Sequence, residues 1–250
     1  MDGTLPEIVD EGRRVLERAE AEGVTLRLLG GVAVLLRSPN GLAEPLRRAY
    51  HDLDFATSRD SAKECTSLLR ELGYEPHVPF NALHGSERLL FLDEQHGRKA
   101  DVFVGRFRMS HVIPLEGRLA LEPLTVPLAE LLLTKLQIAE LNEKDVRDSV
   151  ALLLGHPVGD EDGEAVNAVR IAGLLSDDWG LWRTITGNLA VCRDHLGRYG
   201  LEEGETRLVA ERIDALTARI EAEPKSRSWR LRARIGERKR WYETPEEDEG

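Results

Sequence analysis

The sequence has only two cysteines, Cys65 and Cys192, and neither lies in a CxxC pair or near a histidine at metal-site spacing. This scarcity disfavours a disulfide framework or a zinc site, and both thiols are expected to be reduced and buried. The sequence also lacks an apolar run long enough to span a bilayer. We therefore expect no membrane partner.

Positive charge is scarce relative to negative charge. The chain has 34 Lys and Arg against 45 Asp and Glu, so its formal net charge is -11. This balance disfavours an evenly basic nucleic-acid-binding protein but leaves room for a local basic patch. Met1–Thr4 is acidic and leads into a predicted amphipathic helix, unlike a secretory signal peptide, so the expected location is the cytoplasm.

The pattern of elements changes near residue 125 of the 250-residue chain. Before that point strand-like runs alternate with amphipathic helices, and after it the pattern is almost entirely helical. The prediction is an α+β protein. It has a domain 1–125 with a small mixed β-sheet and flanking helices, an all-helical domain 126–241, and an acidic disordered tail 242–250.

Within the first predicted domain, apolar and β-branched runs are punctuated by glycine and proline. They predict a strand at 24–29, a helix at 32–37, a strand at 52–57, a helix at 58–72, an edge strand at 75–78 and a β-hairpin at 88–107. The arginine-rich segment 42–50 has no periodic pattern and is interpreted as an inserted loop. Arg47 and Arg48 in this loop could meet an anionic partner.

The glycine pair Gly30-Gly31 stands between a predicted strand and a predicted helix. A backbone without Cβ atoms lets a phosphate approach closely, and the N–H groups at a helix start bind anions. Taken alone, such a pair is equally typical of a tight turn.

Two carboxylates follow on the next predicted strand. Side chains alternate along a strand, so Asp52 and Asp54 point to one face, while Leu53 and Phe55 point into a core. Neighbouring carboxylates repel each other unless a cation lies between them, and Mg²⁺ is commonly held by one or two carboxylates plus substrate phosphates. If the hairpin joins the same sheet, Asp101 adds a third carboxylate, as a two-metal centre for phosphoryl transfer requires.

This order of motifs resembles the nucleotidyltransferase superfamily that includes DNA polymerase β: a glycine pair, an acid-apolar-acid strand, and a third acid on a later strand. Lys135, followed by Lys144-Asp145-Val146-Arg147-Asp148, is similar to the lysine and Lys-Asp-x-x-Asp motifs of the nucleotidyltransferase-type toxins of abortive-infection toxin–antitoxin systems. The resemblance covers roughly residues 26–154. The chain departs from the pattern in having Val32 where a serine is common, and in a longer gap before the acidic strand.

The resemblance implies a nucleotidyltransferase fold. It implies transfer of a nucleoside monophosphate from a triphosphate such as ATP to a hydroxyl of RNA, protein or a small molecule, with release of pyrophosphate. The cofactor would be Mg²⁺ or Mn²⁺, and an antitoxin would be a possible partner. The implied roles are metal binding by Asp52, Asp54 and Asp101, triphosphate binding by Gly30 and Gly31, phosphate contacts by Lys135 and Lys144, and a base or orienting carboxylate at Asp145.

Two alternatives remain open at this point. The same motifs fit a non-catalytic nucleotide-binding or toxin–antitoxin regulatory module, although retention of three mutually repelling carboxylates argues against it. The motif of Lys144, Asp145 and Asp148 also fits a solvated helix face joined by i,i+3 and i,i+4 pairs.

The segment 225–241 predicts a strongly basic helix that carries Trp229 and Trp241. Basic residues interleaved with aromatic residues suit a phosphate backbone and stacked bases, so an RNA acceptor could bind through Lys225–Arg240. The alternative is a solvated helix that pairs with the acidic tail or the acidic body of the protein.

Overall fold

The chain forms two compact units in a computed structural model, which describes residues 3–39 and 41–244. The strand unit comprises Met1–Leu36, Ala49–Arg108 and Val112–Pro127, and the helical unit comprises Arg37–Arg48, Met109–His111 and Leu128–Gly250. The predicted α+β class is confirmed. The domain limits at 125 and 241 stay predictions, and residues 245–250 of the predicted disordered tail lie outside the described residues.

The elements that begin in the strand unit are helices and short strands that alternate up to the fourth helix and are followed by four consecutive strands. In chain order they are α1 (Ile8–Ala21), β1 (Leu26–Leu29), α2 (Gly30–Arg37), β2 (Leu53–Thr57), α3 (Ala62–Glu71), β3 (Glu75–Pro76), α4 (Val78–His84), β4 (Arg88–Asp93), β5 (Arg98–Val104), β6 (Arg106–Arg108) and β7 (Val112–Pro114).

The main sheet has the strand order β1-β2-β5-β4-β3. Strands β2 and β5 pair in parallel at its centre, and the other neighbours pair antiparallel. Both central strands are almost entirely buried, although each of them carries an acidic residue. The predicted hairpin therefore does join the sheet that contains the acidic strand.

One face of this sheet forms the core of the strand unit. Leu28, Phe55 and Val102 lie on that face and have no exposed surface. Helix α1 contacts β1 and α3 and turns Val15 and Ala19 inward. Because side chains alternate along a strand, the opposite face receives the two acidic residues of β2 and β5.

The helical unit is built around α5, in which every residue is buried. An α-helix that is apolar on all sides can be stable only when other helices surround it, and α5 contacts α6, α7 and α8. The elements are α5 (Leu128–Leu136), α6 (Glu143–Gly155), β8 (Val158–Gly159), β9 (Val166–Asn167), α7 (Ala168–Asp177), α8 (Trp179–His195), α9 (Glu203–Ala222) and α10 (Arg227–Ile235).

Two elements differ clearly from their predicted limits. The predicted edge strand 75–78 is only two residues long, because α4 begins at Val78 with Pro79 in its first turn, where a missing N–H costs nothing. The predicted basic helix 225–241 ends at Ile235, where Gly236 forms the C-cap. Both differences arise from residues that favour helix ends, Pro79 at the start of α4 and Gly236 at the end of α10.

Both cysteines are buried and free, as predicted. Across residues 3–39 and 41–244, the helices are all too short or too polar to cross a membrane.

Candidate active site

The two acidic residues of the central strands lie side by side. Asp54 of β2 and Asp101 of β5 are direct partners in the parallel register, so their side chains leave the sheet on the same face. Asp101 is buried and Asp54 is half-buried. The fold therefore brings together two of the three predicted metal ligands.

The start of α2 lies directly against Asp54. Gly30 has a φ of +70°, and a Cβ atom on it would fall 1.9 Å from Asp54 Oδ2. The close approach requires glycine for two reasons, the backbone conformation and the space taken by the carboxylate. The helix begins at Gly30 rather than at the predicted Val32, so Gly30 and Gly31 form its first turn. Their contact with a triphosphate stays a prediction.

Asp52 is placed differently from the other two acids. Strand β2 begins at Leu53, so Asp52 precedes it and is exposed, which corrects the prediction that it begins the strand. Among residues 3–39 and 41–244, no group of three or more His, Cys, Asp and Glu side chains is arranged to hold a metal ion. A metal site with all three acids as ligands stays a prediction.

The sequence reasoning missed Arg88, which holds Asp101. Arg88 Nε donates a hydrogen bond to Asp101 Oδ1 at 2.7 Å, and the guanidinium lies 5.3 Å from the ring centre of Phe80 and 5.5 Å from that of Phe103. Alternation along β4 was the available signal, because it places Arg88 and Leu90 on the same face of the strand. The register pairs Leu90 with Asp101, so Arg88 lies on the same face of the sheet as Asp101. The antiparallel register itself was not readable from the sequence.

The arrangement fits a divalent metal in part. Carboxylate oxygens are the ligands that Mg²⁺ prefers, and one or two carboxylates suffice when substrate phosphates complete the shell. Asp54 and Asp101 supply that number on one face of the sheet. However, Asp101 already accepts a hydrogen bond from a cation, Arg88. The donor chemistry therefore fits a site of two carboxylates, with Arg88 as a competing charge.

A second charged cluster lies within the helical unit. Lys135 Nζ lies 2.9 Å from Asp148 Oδ2 and 3.5 Å from Asp145 Oδ1. Arg48 donates to both oxygens of Asp148, from Nε at 3.0 Å and from Nη2 at 2.7 Å. The side chains of Lys135 and Asp148 are only 11% and 2% exposed. We call these four residues the Lys135 cluster.

Local sequence explains how the cluster forms. Lys135 lies in the last turn of the apolar helix α5, and a buried lysine needs a charged partner. Asn142 caps α6 by accepting a hydrogen bond from the N–H of Asp145, which sets the start of the helix. Asp145 and Asp148 then lie three residues apart on the same side of α6.

The outcome for the Lys-Asp-x-x-Asp motif is mixed. The structure brings Lys135 and Asp145 together, so these carboxylates are not the solvated helix face of the alternative interpretation. Lys144 is exposed in the first turn of α6, outside the Lys135 cluster. Arg48, considered as a contact for an anionic partner, instead binds Asp148 of its own chain.

The pKa values of the two carboxyl groups in the Lys135 cluster are shifted in opposite directions. Burial raises the pKa of Asp145, and the nearby charge of Lys135 only partly opposes this. Burial would also raise the pKa of Asp148, but the hydrogen bonds from Arg48 and the charge of Lys135 outweigh it, so this pKa is lowered. Environments that push two pKa values apart are typical of acid and base partners in catalysis.

A cavity of about 600 Å³ lies within the helical unit, one helical turn beyond Asp148. Its volume is in the range of small-molecule sites. Its lining is mainly aliphatic, with charged groups from the segment before the acidic strand and from α9, and includes Leu42, Leu46, Leu154, Arg47, Glu44 and Glu205.

Comparison of the chain with models of known protein families and with curated proteins found no match. The case for a function therefore depends on the motifs and on the geometry described above.

Proposed function

We propose that the protein is a metal-dependent nucleotidyltransferase. The oxygen of an acceptor hydroxyl forms a bond to the α-phosphorus of a nucleoside triphosphate, the bond from that phosphorus to the leaving oxygen breaks, and pyrophosphate departs. The observation that carries this proposal is the pairing of Asp54 with Asp101 on adjacent parallel strands, beside the glycine start of a helix.

In this proposal Asp54 and Asp101 hold Mg²⁺ or Mn²⁺, with Asp52 as a further ligand. When bound, the metal supplies charge neutralisation at the triphosphate and a lower pKa of the acceptor hydroxyl. The backbone N–H groups of Gly30 and Gly31 bind phosphate oxygens, as the N-terminal turn of a helix does. Arg88 holds the carboxylate of Asp101 in one orientation.

The resemblance of its motif assigns further roles to the Lys135 cluster, namely phosphate binding by Lys135 and a base or orienting carboxylate at Asp145. The raised pKa of Asp145 supports a role as the base that takes the proton of the acceptor hydroxyl. Asp148, which is held by Arg48, positions Lys135. The resemblance assigns phosphate contacts to Lys135 and to the exposed Lys144. The acceptor classes are RNA, protein and small molecules, and RNA is the first that we would test.

The test is label transfer from each nucleoside triphosphate to total RNA with Mg²⁺ or Mn²⁺, together with pyrophosphate release. We expect Asp54→Asn to lower the rate at least about a hundredfold, because the amide keeps the shape but loses the charge. Asp60→Asn is the matched control, since Asp60 is an exposed acid shortly after β2, and it should retain the wild-type rate. A wild-type rate in Asp54→Asn would contradict the assignment.

A second candidate function is nucleotide binding without turnover, as in a sensor or a toxin–antitoxin regulatory module. The ion pair between Arg88 and Asp101 favours it, because a carboxylate neutralised by arginine does not need a metal. Calorimetry combined with a pyrophosphate assay distinguishes the two functions. Tight nucleotide binding without release of pyrophosphate from the nucleotide, whichever acceptor class is added, would support the sensor.

The competition between Arg88 and a metal can be measured without any substrate. We expect Arg88→Met to tighten Mn²⁺ binding about tenfold in calorimetry, because it removes a cation 2.7 Å from Asp101. Arg106→Met is the control, since Arg106 instead pairs with Glu87 at 3.0 Å. An unchanged or weaker affinity in Arg88→Met would show that Arg88 does not compete with a metal.

A further inference from the structure

Helix α10 is attached to the helical unit by one side only. On that side the ring of Trp229 lies 5.2 Å from that of Trp182, and the guanidinium of Arg232 lies 4.6 Å from the ring centre of Trp179. Ser226 caps the helix by accepting a hydrogen bond from the N–H of Trp229. These contacts use the side chains of one helix face and leave the opposite face to solvent.

The outward face of α10 combines positive charge with aliphatic surface. Arg227, Arg230 and Arg234 are exposed there at i,i+3 and i,i+4 spacing, and within the described part of the chain they form no ion pair. Leu231 and Ile235, one turn apart on the same side, are 61% and 44% exposed. We call these five residues the α10 face.

The charge of the α10 face is opposite to that of the protein as a whole. Helix α10 contains no acidic residue, and the next acid along the chain, Glu237, is engaged by Arg183 at 2.6 Å. The complete chain has a net charge of -11. A partner for this face must therefore bring negative charge, and long-range attraction would steer it to this part of the surface.

The aliphatic side chains decide between classes of anionic partner. A nucleic acid would satisfy the arginines but offers little apolar surface to cover Leu231 and Ile235. The terminal run Glu246-Glu247-Asp248-Glu249 of the chain itself has the same shortcoming, since it contains no apolar residue. An acidic amphipathic polypeptide supplies carboxylates for the arginines and an apolar stripe for the two aliphatic side chains.

From these observations we infer that the α10 face is a docking surface for an acidic amphipathic segment of a partner protein. Burial of Leu231 and Ile235 provides part of the affinity, and the arginines provide charge complementarity and orientation. This inference does not depend on the proposed catalytic activity, because it uses no residue assigned to metal or nucleotide. Binding of an RNA acceptor through the same helix is the competing interpretation that the test below distinguishes.

The test measures the binding of a fluorescein-labelled peptide to the full-length protein by fluorescence anisotropy. The probe is a helix of about 14 residues, roughly four turns, with leucine on one stripe and glutamate elsewhere. Its control has the same composition in an order without a stripe. We expect the striped peptide to bind about tenfold more tightly than the control peptide.

Variants separate the two halves of the α10 face. Leu231→Gln/Ile235→Gln removes the aliphatic surface, and Arg230→Gln/Arg234→Gln removes charge; glutamine keeps a good helix propensity in both. Each double variant should weaken binding of the striped peptide about tenfold. Arg207→Gln/Leu208→Gln is the matched control on α9, where both side chains are also exposed, and it should bind as the wild type does.

Several outcomes would overturn the inference. Equal affinity for the two peptides would mean that charge alone acts. Tight binding of an oligouridine RNA that is lost only in the arginine variant would assign the face to nucleic acid. A dimer in light scattering that dissociates in either α10 variant would assign the face to a second copy of the chain.

Discussion

Replacing Gly30 by alanine is expected to lower the free energy of unfolding by about 3 kcal/mol. A non-glycine residue at positive φ costs about 1–2 kcal/mol, and here the new Cβ would also lie 1.9 Å from Asp54 Oδ2, so the carboxylate must move. The measurement is urea unfolding followed by far-UV circular dichroism.

Two controls separate the causes of this loss. Gly97→Ala, in the turn between β4 and β5, places alanine at a φ of +63° with nothing within 4 Å, so it should show the conformational cost alone. The Asp54→Gly background lacks the obstructing side chain, so Gly30→Ala should cost less stability there than it does in the wild type. Equal losses in Gly30→Ala and Gly97→Ala would show that the carboxylate does not lie against the helix start.

The second large effect is expected at Asp148. Its carboxylate is almost fully buried and pairs with Arg48 and Lys135, so Asp148→Asn removes the negative charge that two nearly buried cations share. Breaking a buried ion pair on one side costs about 3–5 kcal/mol, and we expect a loss of stability near the lower limit of this range. Glu143→Gln on the same helix is the control, since its pair with Arg147 is exposed and worth less than about 0.5 kcal/mol.

The pH dependence of the same variant gives an independent check. The folded-state pKa of Asp148 is lowered, so its contribution to stability is complete above the unfolded value of about 3.9 and is lost as the pH falls through the folded value. The stability difference between the wild type and Asp148→Asn should therefore be largest near neutral pH and shrink below about pH 4. A stability difference that stays constant down to acidic pH would contradict the ion pairing of Asp148 in the folded state.

The strand carboxylates were predictable because their pattern is local. Alternation places Asp54 opposite the core residues of its own strand, and the apolar neighbours of Asp101 predict another buried strand. The parallel pairing of these strands depends on how the chain crosses over between them, and periodicity does not encode that. Arg88 was missed for the same reason, since its contact follows from the register of β4 with β5.

In the helical unit, the need of Lys135 for a partner could be predicted from its position on an apolar helix. The contact of Arg48 with Asp148 could not be predicted, because Arg48 belongs to a loop without a periodic pattern. Helix α4 could not be predicted either, because none of its side chains is buried and the sequence therefore shows no apolar stripe. Sequence patterns report burial, so elements and contacts without a buried stripe are the ones that they miss.

The four tryptophans, Trp179, Trp182, Trp229 and Trp241, give the protein a natural optical probe, because all of them belong to the helical unit and their rings contact one another. Tryptophan emission therefore follows the melting of that unit alone, whereas far-UV circular dichroism follows both units. Coincident curves from one denaturant titration would mean that the two units unfold cooperatively. If the two curves separate, we expect Gly30→Ala to shift the dichroism curve and Asp148→Asn to shift the emission curve.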